Sequence, residues 1–183
     1  MSYVITGSPG VGKHTIAKKI SKETELSIVD INKIAQENGL FEKSWETNDV
    51  DVSKLKKVIG EKISNPGLIV GHLAPYVLSS NQVKKAIVLR KNPYDLIPIY
   101  KQRNYSNKKI KDNLGSEVLG IILHDTINQF GAEKILQIDV SGKSVIETTK
   151  QIMDTIRGKI KDDSVDWLTL VSGKNDLKEF FAY

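Results

Sequence analysis

Gly7-Ser8-Pro9-Gly10-Val11-Gly12-Lys13-His14-Thr15 follows directly on the apolar run Tyr3-Val4-Ile5 and opens into Ile16-Ala17-Lys18-Lys19-Ile20. Strand, glycine loop and helix thus succeed one another. A loop of this composition is a phosphate cradle. Its glycines let backbone N–H groups crowd around phosphate oxygens, Lys13 reaches the β- and γ-phosphates, and the helix N-terminus adds a favourable dipole end. The pattern asks for Ser or Thr directly after the lysine, to ligate Mg2+. Here His14 holds that place and Thr15 comes one position late.

Working outward, the 183 residues suit one domain large enough to bury a core without staples. Cysteine is absent, which removes disulfides, thiolate metal sites and cysteine nucleophiles together. The chain enters its first strand without a charged-then-apolar leader, and no apolar stretch approaches the length of a membrane span. We therefore expect a cytoplasmic protein with no membrane contact. The formal charge is +5, from 27 Lys and Arg against 22 Asp and Glu. That excess fits a solvated surface around a polyanionic ligand as well as contact with RNA or a ribosomal protein.

Leu26, Ile28 and Val29 predict a second strand ending at Asp30, and Ile31, Ile34 and Ala35 a helical stripe stopped by Asn38-Gly39. Leu40 to Val52 lacks a sustained period and reads as loop. Ser53 is read as the cap of a helix carrying Leu55, Val58, Ile59 and Ile63. Gly67-Leu-Ile-Val70 and Ala86-Ile-Val-Leu89 are short, β-branched and unalternating, as parallel strands covered on both faces are. Pro93 opens a helix towards Arg103. The charged piece from Arg103 to Asp112 then precedes a long helix with Val118, Ile121, Ile122 and Leu123. Ile135 to Ile138 make a fifth strand, and Val145, Thr149, Ile152, Ile156 and Ile160 a final long helix. Strands alternating with helices predict an α/β fold, a five-stranded parallel sheet with helices on both faces. Ligands gather at the carboxyl ends of such strands, so the Gly7 loop, Asp30, His72, Arg90 and the stretch Asp139 to Ser144 should share one crevice.

Phosphoryl transfer needs positive charge, alignment and exclusion of water. Lys13 meets the first need. Arg103 meets the others if its charged segment folds over the nucleotide as a lid; otherwise the segment is a solvated loop. His72, just past the third strand, stands where P-loop enzymes commonly place an acid that holds Mg2+ through water. No Asp or Glu lies between Gly67 and Asp95. His72 positions a water or a phosphate, or is a satisfied structural group. Gly142-Lys143-Ser144 packs against a base or caps a helix through Ser144. Asp30 and Asp51 border the second-substrate region, where surface solvation also explains them. Trp45 and Trp167 read as packing residues.

Taken in order, these residues resemble the adenylate kinase isoenzyme 6-like family, particularly its archaeal branch, over about the first 170 residues. The likeness rests on the P-loop G-x-P-G-V-G-K-x-T, Gly71-His72-Leu73, Val88-Leu89-Arg90, the segment Arg103-x-Tyr105-Ser106-x-Lys108-Lys109-Ile110 with Asn113 and Glu117, and Val165-Asp166-Trp167. It implies a P-loop nucleoside monophosphate kinase fold at 1–161, with an acceptor segment at about 30–52, a lid at about 102–112 and a helical extension at 162–183. It also implies adenylate kinase and ATPase activities, with ATP and Mg2+ as cofactors and AMP as acceptor. Maturation of the small ribosomal subunit, through ribosomal protein uS11 and small-subunit rRNA, comes with the same likeness. By position, Gly10, Val11, Gly12, Lys13, His14 and Thr15 hold ATP phosphates, Arg103 reaches in from the lid, Lys143 lies at the adenine, and Thr15 serves the metal through water. Lys13, Arg103 and His72 form the catalytic set. Two alternatives stand beside this reading: an assembly ATPase with negligible kinase activity, and another small-molecule kinase of the same fold. The chain has Val70 where archaeal relatives tend to have Asp, and Asn104 where the lid has Gly.

Overall fold

Runs such as Leu68-Ile69-Val70 carry apolar side chains on both faces of a strand and need cover on each side. The computed structural model, which describes residues 1–43, 48–63, 65–159 and 161–181, supplies that cover. In chain order come β1 (Ser2–Gly7), α1 (Lys13–Thr24), β2 (Ile28–Asp30), α2 (Ile31–Glu37), β3 (Phe41–Lys43) and β4 (Asn48–Val50). Next are α3 (Val52–Lys62), β5 (Leu68–Val70), α4 (Ala74–Val77), β6 (Val83–Arg90), α5 (Pro93–Gln102) and α6 (Asn107–Leu119). The chain continues through α7 (Ile121–Phe130), β7 (Ile135–Asp139), α8 (Val145–Ile156), α9 (Trp167–Gly173) and α10 (Leu177–Phe180). The five-stranded sheet has the order β2-β5-β1-β6-β7 and every pairing is parallel. Successive residues face opposite sides. Val4 and Ile69 pack with Ile31, Leu55 and Ile59, whereas Ile5 and Val70 pack with Ile16, Leu114 and Ile152. Burying each such side chain contributes about 1.5–3 kcal/mol.

Several local expectations are corrected. The stretch read as loop carries the antiparallel pair β3–β4, with Phe41 opposite Val50; three-residue strands are too short to show a period. Asp51, not Ser53, caps α3, accepting from the Lys54 N–H at 3.0 Å. The charged piece after Arg103 is half helix, because Ser106 caps α6 and the helix starts at Asn107. The expected long helix is broken at Gly120, whose φ of +66° ends α6 and begins α7. The last helix of the sheet layer stops at Ile156. Ile160 and Trp45 lie outside the described residues.

The C-terminal segment packs into this core. Val171 and Phe180 are fully buried in the same cluster as Ile5 and Leu89. The Asp163 N–H donates to the Gln137 carbonyl of β7 at 2.8 Å. Tyr94 of α5 meets Phe180 edge-on at 4.9 Å and donates its hydroxyl to Asp176 at 2.6 Å. Among the described residues no helix is long and apolar enough to cross a membrane.

Candidate active site

The loop between β1 and α1 takes its shape from close approach. At Gly7, with φ +133°, an added Cβ would stand 2.3 Å from the Leu89 carbonyl oxygen of β6, so only glycine fits. Gly12, at φ +94°, caps α1 in the left-handed region and presents the helix N-terminus to the crevice. Lys13 is the first residue of α1 and only 5% exposed. Its Nζ donates to the carbonyls of Gly7 and Ser8, both at 2.8 Å. Burial lowers the Lys13 pKa to about 7 against the opposing pull of Glu117, with Arg103 lowering it further. Phosphate oxygens would relieve that penalty by supplying negative charge.

Behind the loop sits a buried carboxylate. Glu117 of α6 is 2% exposed; its Oε2 accepts from Ser8 Oγ at 2.5 Å. Its Oε1 accepts from Arg90 Nε at 2.8 Å, from the Lys91 N–H at 3.0 Å and from Trp167 Nε1 at 3.2 Å. One side chain therefore ties the P-loop to the ends of β6 and α6 and to the C-terminal segment. Tyr100 of α5 adds a second brace, its hydroxyl donating to the Pro9 carbonyl at 2.7 Å. The sequence reading gave no role to Glu117 or Tyr100. For Glu117 a signal existed, since an acid sits on the stripe Ile110, Leu114, Val118 that α6 buries.

On the open side of the loop, Gly10, Lys13, His14, Thr15, His72 and Arg103 line one cavity of about 220 Å³ together with Tyr105. Arg103 and Thr15 are exposed there and His72 is half-buried. Burial, and then the charges of Lys13, Lys109 and His14, lower the His72 pKa to about 4. At neutral pH it is an uncharged donor and acceptor. Asn104 holds the turn after Arg103 at φ +55°, a conformation Asn tolerates, which explains why it stands where the resembling lid has Gly. Tyr105 then stacks on Tyr100 at 5.6 Å, with Lys109 Nζ 4.6 Å from its ring.

Two further cavities adjoin this one. A space of about 160 Å³ shares Gly10, Gly12 and Thr15 with it and is closed by Lys91, Val140 and Lys143, with Val11 on its wall. Lys143 is anchored there, its Nζ 2.8 Å from Gln151 Oε1 and 3.2 Å from Asp163 Oδ2. Ser144 caps α8 in a capping box with Glu147, so the loop serves as a cap while Lys143 faces the cavity. On the other side, a space of about 550 Å³ shares Pro9, Asn32, His72 and Tyr105 and extends to Lys33, Gln36 and Lys109. The P-loop residues, Asp30, His72, Arg103 and Lys143 line these adjoining cavities, but Arg90 does not: it is 3% exposed, turned inward onto Glu117, and borders a separate space with Gly120 and Trp167. An acid does approach the loop from β2: Asp30 Oδ2 lies 3.0 Å from His14 Nε2. Its Oδ1 accepts from the N–H groups of Asn32 and Lys33, capping α2.

Comparison with known proteins bears on the family and the fold. Residues 4–120 match the AAA domain family. A protein of Pyrococcus furiosus named "Putative adenylate kinase" is 30% identical over 170 residues, 91% of this chain and 91% of that protein. The protein of the same name in Saccharolobus solfataricus is 29% identical over 182 residues, 98% of this chain and 94% of its own length. Among solved structures, shikimate kinase from Bacteroides thetaiotaomicron superposes with a TM-score of 0.55 at 16% identity, over 86% of this chain and 98% of that one. A gluconokinase from Sinorhizobium meliloti gives 0.51 at 12% identity, over 86% and 91%. The fold is that of P-loop kinases.

Proposed function

We propose, because this chain belongs to the AAA domain family and to the P-loop kinase family of the archaeal relatives above, that it transfers the γ-phosphoryl group of ATP to AMP. The observation that carries this reading is the row of three adjoining cavities with the P-loop in the middle. The donor adenine would occupy the space beside Lys143, its triphosphate the Gly7–Thr15 loop, and AMP the larger space beyond His72 and Tyr105. Residues 30–52 are then the acceptor segment and 102–112 the lid. Lys13 and the P-loop N–H groups hold the β- and γ-phosphates. Arg103, on the exposed rim, closes over the transferring group and excludes water. Neutral His72 orients the acceptor phosphate by hydrogen bonding without adding a charge. A divalent cation accompanies the triphosphate; Asp30 and Thr15 offer it oxygen donors, directly or through water, and when bound it neutralises charge developing on the phosphates.

The test is a coupled assay with ATP, a divalent cation and a panel of acceptors. AMP should give ADP faster than ATP is hydrolysed alone. ADP formation no faster with AMP than without it would remove the kinase reading, and turnover with shikimate or gluconate instead would assign a different acceptor.

A second reading has its own support. Trp167 of the C-terminal segment donates to the same Glu117 that holds Ser8 of the P-loop, so nucleotide at the loop and a partner on that segment can influence one another. Such coupling supports a nucleotide-switched ATPase; that it acts in small-subunit maturation on ribosomal protein uS11 and its rRNA, alongside the kinase reaction, rests on the family resemblance alone. Binding of uS11 measured with and without ATP tests it; no binding in either state would sink it.

A further inference from the structure

The residue after the P-loop lysine is the place from which a hydroxyl normally reaches the phosphate-bound cation. In this chain that place holds an imidazole, and the imidazole faces a carboxylate. We propose that His14 and Asp30 form the protein half of a mixed nitrogen–oxygen cation site, completed only by nucleotide phosphates, that selects a borderline divalent ion of the Mn2+ or Co2+ kind over Mg2+. The inference deepens the functional reading above and rests on Gly7–Thr15 being the ATP phosphate site.

Geometry comes first. His14 Nε2 and Asp30 Oδ2 are 3.0 Å apart. Two donors bound side by side to one ion with bonds of about 2.1 Å lie about 3.0 Å from each other, so an ion can replace the direct contact with little movement of either atom beyond turning the ring. Both groups are reachable, His14 being 45% and Asp30 26% exposed. The carboxylate is already oriented, because its other oxygen is engaged by the N–H groups of Asn32 and Lys33 at 3.0 and 3.1 Å.

Donor chemistry sets the preference. Mg2+ takes oxygen ligands and keeps its waters, whereas imidazole nitrogen favours the transition ions, with affinity rising from Mn2+ through Co2+. At the end of β5, where an acid would hold the waters of Mg2+, the chain has Val70, Gly71 and His72. Among the described residues no three His, Cys, Asp or Glu side chains converge on one point. Two protein donors alone hold an ion weakly, so the phosphates must supply the remaining ligands, and the site should exist only in the nucleotide complex.

The experiment titrates Mn2+ into the full-length protein with and without a non-hydrolysable ATP analogue, followed by electron paramagnetic resonance. Pulsed measurement reads the nitrogen coupling of a directly bound imidazole. The ternary complex should show that coupling, and protein without nucleotide should bind little Mn2+. In His14→Ser the coupling should vanish and Mn2+ affinity fall about 10-fold or more, while Mg2+ affinity holds or improves. In His14→Thr preference should swing to Mg2+. Thermal melts of both variants should match the parent, since the side chain is half in solvent. Absence of nitrogen coupling in the parent complex, or an equal change for Mn2+ and Mg2+ in His14→Ser, would overturn the proposal and leave the phosphate site standing. Failure of the analogue to bind at all, read separately by calorimetry, would overturn both.

Discussion

The two sides of the P-loop are built on different terms. On the lysine side the polar groups are buried or half-buried and held: Lys13 on two loop carbonyls, Ser8 on Glu117, Pro9 under Tyr100, and Glu117 itself against Arg90 and Trp167. On the cation side His14 is 45% exposed and meets Asp30 across the crevice. Buried polar groups tolerate no missing partner, so the first side is a rigid scaffold. An exposed pair is worth little by itself and is free to be replaced by a ligand. The difference is that the phosphate cradle is preorganised, while the cation side rests on an exposed pair of which His14 can be changed without disturbing the fold.

The hardest blow to the lysine side is Lys13→Ala. It should lower turnover about 10²- to 10³-fold by removing charge from the transferring phosphates. Stability should change little, since relief of the buried ammonium offsets the hydrogen bonds lost at the Gly7 and Ser8 carbonyls. A variant that melts early would show that Lys13 is structural. Glu117→Ala comes next. Removing it leaves the Arg90 guanidinium, which is 3% exposed, without its carboxylate. Denaturant unfolding should show a loss of about 3–5 kcal/mol. A loss below about 1 kcal/mol, the value of an exposed pair, would erase the contrast drawn between the two sides.

Two pH effects sharpen the same contrast. Lys13 has a pKa of about 7 in the ligand-free fold, below its ordinary 10.5. Phosphate raises it again, so at pH 8 nucleotide binding should take up a proton, and affinity should fall as pH rises from 7. Calorimetry in buffers of different ionisation enthalpy reads this directly. By the same linkage the burial penalty on the folded state is full below pH 7 and fades towards 10.5. The smallest effect belongs to His72. Its pKa is about 4 in the fold against 6.5 ordinarily, so the unfolded chain takes up its proton first on acidification. Stability should decline between pH 6.5 and 4, and His72→Gln should flatten that slope; an unchanged slope would place His72 in solvent.

Features set by neighbouring residues were legible in the sequence. The glycine loop declares itself because φ angles and phosphate contacts are local demands, and the parallel strands because both of their faces are apolar. Most of the crevice followed from the general behaviour of strand ends, but Arg90, at the end of β6, turns inward onto Glu117 instead. Features set by distant partners were not. The β3–β4 pair is too short for a pattern, and the break at Gly120 depends on Arg90 passing beneath it, its Nη1 3.3 Å from where a Cβ would stand. Asp30 is placed in the crevice by its position at the end of β2, but nothing local shows that its carboxylate meets His14. Glu117 was visible as a misfit on an apolar stripe, yet its partners, Ser8, Arg90 and Trp167, come from three other parts of the chain.

The central claim, that the crevice holds a donor and an acceptor nucleotide on either side of the P-loop, is tested most directly with a bisubstrate analogue joining two adenosines through five phosphates. Calorimetry should give one molecule bound per chain, far more tightly than an ATP analogue or AMP alone, with most of that gain lost in Lys13→Ala. Binding no tighter than the ATP analogue alone would contradict the account, because the space beyond His72 would then not be a nucleotide site.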